Sequence, residues 1–228
     1  MRYKNICRGH FLKRLNRFTA RVEIDGLTET VHVKNTGRLR ELLIPGADII
    51  LSRAENTERK TAYDLIAVYK PGLGLVNIDS QAPNHVVREW LSKQDFTLIR
   101  PEYTYGSSRL DFYMERGSER YLMEVKGCTL EVDGTGYFPD APTERGIKHL
   151  HELSEASREG CRACIAFVIA MPGVDKVLPN LETSPEFGEA LKEAEDAGVR
   201  VLYLPCIVEE DKINIDAEKA EEINGRIW

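Results

Sequence analysis

"SRLDFYMERGSERYLMEVKGCTL", Ser108–Leu130, sets two acids and a lysine inside two runs that otherwise read as strands. Gly117-Ser118 in "ERGSER" is a Gly-X pair, the signature of a two-residue type II′ hairpin turn. With the turn there, Arg116 faces Glu119, Met114 faces Tyr121, Phe112 faces Met123 and Asp111 faces Glu124. Directly opposed side chains share one face of a sheet. Lys126, two residues past Glu124, falls on that face as well. Leu110, Phe112, Met123 and Val125 are expected on the other face, in a core.

Opposed carboxylates repel, at a cost of up to roughly 1 kcal/mol, and a fold gains nothing from the pair. A divalent cation reverses the sign of that interaction. Mg²⁺ takes one or two carboxylates and completes its shell with water and phosphate oxygens. A nearby lysine can orient or deprotonate a water, or neutralise charge developing on phosphate. Asp111, Glu124 and Lys126 are therefore the candidate catalytic residues. Asp111 and Glu124 are the candidate ligands of Mg²⁺ or Mn²⁺, and phosphodiester hydrolysis is the candidate chemistry. The plain alternative is that Glu-x-Lys is a common tripeptide on solvated strands.

C-terminal to the hairpin, "PTERGIKHLHELSEASREG" reads as a helix with Thr143 as N-cap and Gly160 as stop. Arg145 and His149 are four apart and share a face, where with the helix N-terminus they can grip phosphate. An ordinary solvated face explains them equally well. Asp140, in the turn before, is expected to cap the helix rather than approach a metal. "CIAFVIAM" reads as a buried strand, "SPEFGEALKEAEDAG" as a helix and "VRVLYLP" as a strand, followed by an acidic tail. N-terminal to the hairpin, "APNHVVREWLSKQ" (Ala82–Gln94) repeats Val86, Val87, Trp90 and Leu91 at helical spacing. Glu89 on that helix is a weak candidate for a further acid. The order from Ala82, α-β-β-β-α-β-α-β, predicts an α/β sandwich on a mixed sheet. Residues 1–80, including "RLRELLIPG", read as short strands and predict an OB-like β-barrel. The boundary near Asp79–Pro83 divides the chain into 1–80 and 81–228.

Charge is uneven. Residues 1–40 hold ten Lys/Arg against three acids, a local +7 in a chain of net −6. That asymmetry points to a polyanion at the N-terminal end. Lys13, Arg14, Arg17 and Arg38 are the expected contacts, with Phe18 to stack a base. The five cysteines are odd in number and scattered, against a disulfide framework. Cys161-x-x-Cys164 has no second pair and sits in an apolar run, so it reads as strand rather than zinc site. No apolar run approaches the roughly 18 residues of a membrane span. The basic start lacks the apolar core of a signal peptide, and the cytoplasm is the expected compartment.

With those residues in hand, the chain resembles the sugar fermentation stimulation protein A family over nearly its whole length. The matching stretches are "FLKRLNRF", "VHVKNTGRLRELLIPGA", "SRLDF", "EVKGCTL" and "FPDAPTERGIKHLHEL". The resemblance implies an N-terminal OB-like domain and a C-terminal domain like the PD-(D/E)xK nucleases. The nuclease motif carries over onto Asp111, Glu124 and Lys126, with Leu110 where a proline is usual. It also implies DNA binding. The expectation is a DNA-binding protein with a metal-dependent nuclease site. The alternatives are a non-catalytic DNA-binding regulator of sugar metabolism, or an RNA-processing nuclease. Nucleic acid, DNA before RNA, is the expected partner, and a homodimer is compatible with the sequence.

Overall fold

The computed structural model describes residues 1–56 and 58–228. The N-terminal part is a barrel. Its strands are β1 (Ile6–Arg14), β2 (Thr19–Ile24), β3 (Leu27–Val33), β4 (Asp48–Arg53) and β5 (Tyr63–Lys70), with β6 (Gly74–Asn77) paired antiparallel beside β5. β1 pairs antiparallel with β2 and β4, β2 with β3, and β4 with β5; a parallel β3–β5 pairing closes the ring. Register shifts at Phe11/Lys13 and at Ile50/Leu51 supply the bulges that let so short a sheet curl. Alternating Phe11, Val22, Val31, Leu51 and Leu65 fill the interior. Asp25-Gly26, both at positive φ, make the tight β2–β3 turn. "RLRELLIPG" is a run of turns rather than a strand, and Leu39, Leu42 and Leu43 are buried in the same core.

The second part is a six-stranded mixed sheet of order β15-β14-β12-β9-β8-β7. Its chain order is α1 (Ala82–Leu91), β7 (Leu98–Tyr105), β8 (Ser108–Arg116), β9 (Glu119–Cys128), β10 (Leu130–Val132), β11 (Thr135–Phe138), α2 (Glu144–Arg158), β12 (Arg162–Ile169), β13 (Val177–Pro179), α3 (Pro185–Asp196), β14 (Arg200–Glu209), β15 (Lys212–Ile215) and α4 (Ala217–Asn224). β9, β12 and β14 run parallel in the centre, and the outer strands are antiparallel. α1 and α4 cover the face carrying Met123, Val125, Ala166 and Val168. α2 and α3 cover the face carrying Leu122, Ile165 and Phe167. Cys161 and Cys164 are buried in different cores, on opposite sides of the sheet, and all five cysteines are free.

Four features depart from the sequence reading. The strand-like run read as far as Leu130 breaks after Cys128, and β10 and β11 form a separate hairpin turning at Asp133-Gly134, joined by β13. The acidic tail is β15 and α4, and Trp228 packs on the rings of Trp90, Phe96 and Tyr121. The first residues cross to the second part: Arg2 bridges Lys212, and Tyr3 N–H donates to Asp211. Leu110 lies in the α2 core, not beside Phe112 in the α1 core, so the alternation of faces along β8 breaks between them. Among the described residues, no helix is long and apolar enough to cross a membrane.

Candidate functional site

The β8–β9 hairpin turns at Gly117, at φ 58, with the expected register from Arg116↔Glu119 to Phe112↔Met123. The ladder stops there, one pair short of Asp111 and Glu124. On the other side, β7 pairs Pro101 with Phe112 and Tyr103 with Leu110, skipping Glu102, which has φ 53. Asp111 thus sits one pair past the end of the β8–β9 ladder, while β7 keeps its register on either side of it. Its Oδ2 accepts the Val125 N–H at 2.8 Å, and its Oδ1 accepts Asn84 Nδ2 of α1 at 2.6 Å. Burial, with the adjacent Glu124 charge, pushes its pKa up to about 6 against those two donors.

Glu124 is 3% exposed. Its Oε1 accepts Lys126 Nζ at 2.6 Å and also the ring Nδ1 of His149 from α2. Burial alone would raise its pKa; the His149 hydrogen bond and the Lys126 charge outweigh burial and hold it below the usual carboxylate range. Arg145 Nε lies 3.4 Å from His149 Nε2. Because an arginine only donates, Nε2 is the acceptor and Nδ1 carries the proton given to Glu124. Glu124 Oε2 is buried with no hydrogen-bond partner. An orphaned carboxylate oxygen costs on the order of 1–3 kcal/mol, and both hydrogen bonds that the carboxylate receives go to Oε1. His149, expected as a nucleic-acid contact, is instead buried behind Glu124. Arg145 is exposed and faces the same cleft.

The cleft, about 480 Å³, lies between the barrel and the mixed sheet. Asp111, Glu124 and Lys126 line it with Asn84, Arg145 and Thr36. Gly127 is required beside them, since a Cβ there would come within 2.9 Å of Pro83 at the start of α1. Two further acids in the cleft are already engaged. Asp79 accepts Lys34 at 2.7 Å and the Gln81 N–H at 2.9 Å, and Asp140 accepts the Arg38 N–H at 3.1 Å. Asp140 is therefore not the cap of α2; Thr143 is, accepting Gly146 N–H at 3.0 Å. Glu89 pairs with the chain's amino terminus, away from this role. Among the described residues no group of three or more His, Cys, Asp or Glu side chains is placed to hold a metal ion. Two carboxylates with an orphaned oxygen fit a cation that keeps water and substrate oxygens in its shell.

The basic residues divide by use. Arg14 donates all five guanidinium N–H groups to the carbonyls of Asn16, Arg17, Asn35, Gly37 and Arg38, at 2.7–3.1 Å. It is a structural tie, not the free phosphate contact expected of it. Arg2, Lys4, Arg8 and Lys34 are in ion pairs. Lys13 is exposed and faces Arg21 across β1–β2. Arg17, Arg38 and Arg40 line a second pocket, about 550 Å³, with Leu15 and Leu43. Phe18 stands exposed on the same β1–β2 loop. Asn84, Thr36 and Arg40 escaped the sequence reading. Only Arg40 left a signal there, as part of the basic N-terminal segment.

Residues 12–78 match the profile of the SfsA N-terminal OB domain, and residues 81–212 match the sugar fermentation stimulation protein RE domain. A sugar fermentation stimulation protein homolog of Desulfitobacterium hafniense is 53% identical over 216 residues, covering 93% of this chain and 94% of that one. The homolog of Ruminiclostridium cellulolyticum is 50% identical over 222 residues, covering 96% and 98%. Among solved structures, Pyrococcus furiosus SfsA in complex with Ca²⁺ superposes with a TM-score of 0.84 at 31% identity, covering 95% of each chain.

Proposed function

The chain belongs to the sugar fermentation stimulation protein family, and from that premise we propose a nucleic-acid-binding protein with a divalent-cation-dependent phosphodiesterase site. Asp111, Glu124 and Lys126 carry the chemistry, in the part spanning 81–228. The barrel of residues 1–80 holds the nucleic acid. The observation that carries this reading is the buried, unpartnered Oε2 of Glu124 beside the raised carboxyl of Asp111. An open carboxylate oxygen next to a second carboxyl is the arrangement a divalent cation would complete. The Pyrococcus furiosus relative was solved with Ca²⁺, which supports a divalent ion, Mg²⁺ or Mn²⁺, at Asp111 and Glu124.

When bound, the cation would supply positive charge to polarise a phosphodiester and to acidify a water. This chain's residues do the rest. Asn84 and the Val125 N–H orient Asp111. His149 and Lys126 occupy Oε1 of Glu124, which leaves Oε2 for the ion. Lys126 sits beside Glu124 with its ammonium in the cleft, where it can position the attacking water or stabilise charge on phosphate. Arg145 presents a second cation to the substrate backbone.

The test is incubation of the pure protein with plasmid, single-stranded DNA and RNA, with Mg²⁺, with Mn²⁺ and with chelator. The expected result is cleavage that needs the metal and disappears in Asp111→Ala and in Lys126→Ala. In Lys126→Ala cation binding should persist. Cleavage unaffected by Asp111→Ala would locate the activity elsewhere. No cleavage of any substrate with the cation bound would leave a non-catalytic nucleic-acid-binding regulator.

A further inference from the structure

We propose that the substrate is a single strand of nucleic acid, led from the arginine pocket of the barrel over Thr36 into the carboxylate cleft. The inference rests on the hydrolytic reading of that cleft and names what enters it.

Thr36 lines both pockets. Beside it the two are separated by a clamp: the Arg38 N–H donates to Asp140, and a Cβ at Gly37 would run into the same carboxylate. Arg14 fixes the loop from the other side through the carbonyls of Asn35, Gly37 and Arg38. A polyanion seated on Arg17, Arg38 and Arg40 must therefore pass over Thr36, around that clamp, to reach Glu124. A duplex, with a persistence length of about 50 nm, follows a path around the clamp within two adjoining pockets only at a large bending cost. Nor can it descend to a carboxylate that is 3% exposed. A single strand rotates about every backbone bond and can do both.

Charge and apolar surface agree. Arg17, Arg38 and Arg40 form no ion pair among the described residues, in a chain of net charge −6. They offset the repulsion of the strand by Asp111 and Glu124. Phe18 is 54% exposed on the β1–β2 loop, beside Leu15 and Arg17. Exposed there, the ring adds nothing to the core. It is placed to stack an unpaired base, and a base still paired in a duplex does not offer its face. The β1–β2 loop is also one of the loops through which five-stranded OB barrels bind oligonucleotides.

The experiment measures binding by fluorescence anisotropy with chelator present, so that hydrolysis plays no part. The probes are a labelled strand of about 12 nucleotides, the blunt duplex of the same length, that duplex with a single-stranded tail, and a strand of about 4 nucleotides. The strand should bind about tenfold tighter than the blunt duplex, and the tail should restore strand-like affinity. Phe18→Ala and Arg38→Ala should each weaken strand binding about tenfold, with circular dichroism confirming the fold. Asp111→Asn should tighten the longer strand severalfold and leave the 4-nucleotide strand unchanged, because only the longer one reaches the cleft. Equal affinity for blunt duplex, or no response of the longer strand to Asp111→Asn, overturns the proposal. Selective strand binding with no cleavage under Mn²⁺ would overturn the hydrolytic reading and keep this one. Cleavage of blunt duplex as fast as of single strand would do the reverse.

Discussion

Asp111 holds a carboxyl whose pKa is about 6, because burial and the neighbouring Glu124 charge disfavour its ionised form. An unfolded aspartate titrates near about 3.9. Its folded pKa is raised, so the native state has no penalty below about pH 4, loses stability as pH rises, and carries the full penalty above about pH 6. Asp111→Asn removes that penalty, and Asn84 can flip its amide to keep the hydrogen bond. The variant should therefore be more stable than wild type by about 2 kcal/mol at pH 7.5, and no more stable at pH 4. Urea midpoints at the two pH values measure this. The same variant should lose the thermal shift that Ca²⁺ or Mn²⁺ gives the wild type. His149 provides a second test. His149→Leu should weaken cation binding about 10–100-fold by calorimetry, since it frees Glu124 Oε1 to turn away. His149→Asn, which can still donate to that oxygen, should recover most of the loss. The sequence revealed Asp111, Glu124 and Lys126 because a strand hairpin has a period of two and a readable turn. It did not reveal Asn84, which reaches Asp111 from another element, nor the burial of His149. Both are set by how helices dock, which no local pattern encodes.

At the level of elements, the chain announces its turns and caps more plainly than its short strands. Gly117-Ser118, Thr143 and Gly160 are where the residue chemistry places them: a hairpin turn, a helix N-cap and a helix stop at positive φ. Thr143→Ala removes the acceptor for Gly146 N–H. It should cost about 1 kcal/mol in chemical denaturation. Because α2 carries Arg145 and His149 just inside that cap, it should also weaken cation affinity. A fall in stability with unchanged affinity would mean that Glu124 is held without α2. The misread pieces share a cause. "RLRELLIPG" is apolar enough for a strand, but its leucines are spaced to plug the barrel core from a turn. β10, β11 and β13 are three or four residues long and exist only because they pair with one another. Period-two alternation over so few residues cannot be told from loop.

Across the whole molecule, the two parts are interlocked rather than strung on a linker. Tyr3 from the chain's start bonds Asp79 at the junction, and Asp79 accepts Lys34 from the barrel. Arg38 on the barrel side and Asp140 on the sheet side close the wall of the cleft. The +7 segment was legible as charge, but its use was not. Four of its basic residues are in ion pairs and Arg14 is consumed by carbonyls. What remains for a polyanion is concentrated at Arg17, Arg38 and Arg40, next to the carboxylates it must reach. That partition predicts an unequal response to substitution. Each phosphate contact contributes about 0.7 to the slope of log affinity against log salt for a single strand. Arg17→Ala with Arg38→Ala should reduce the slope by about 1.4. Arg2→Ala with Lys4→Ala, which removes the same formal charge from the same segment, should leave it unchanged. Affinity measured across a salt series separates the two. Equal flattening by both pairs would mean that the strand senses only the net charge of the barrel, and that the geometry around Thr36 does not guide it.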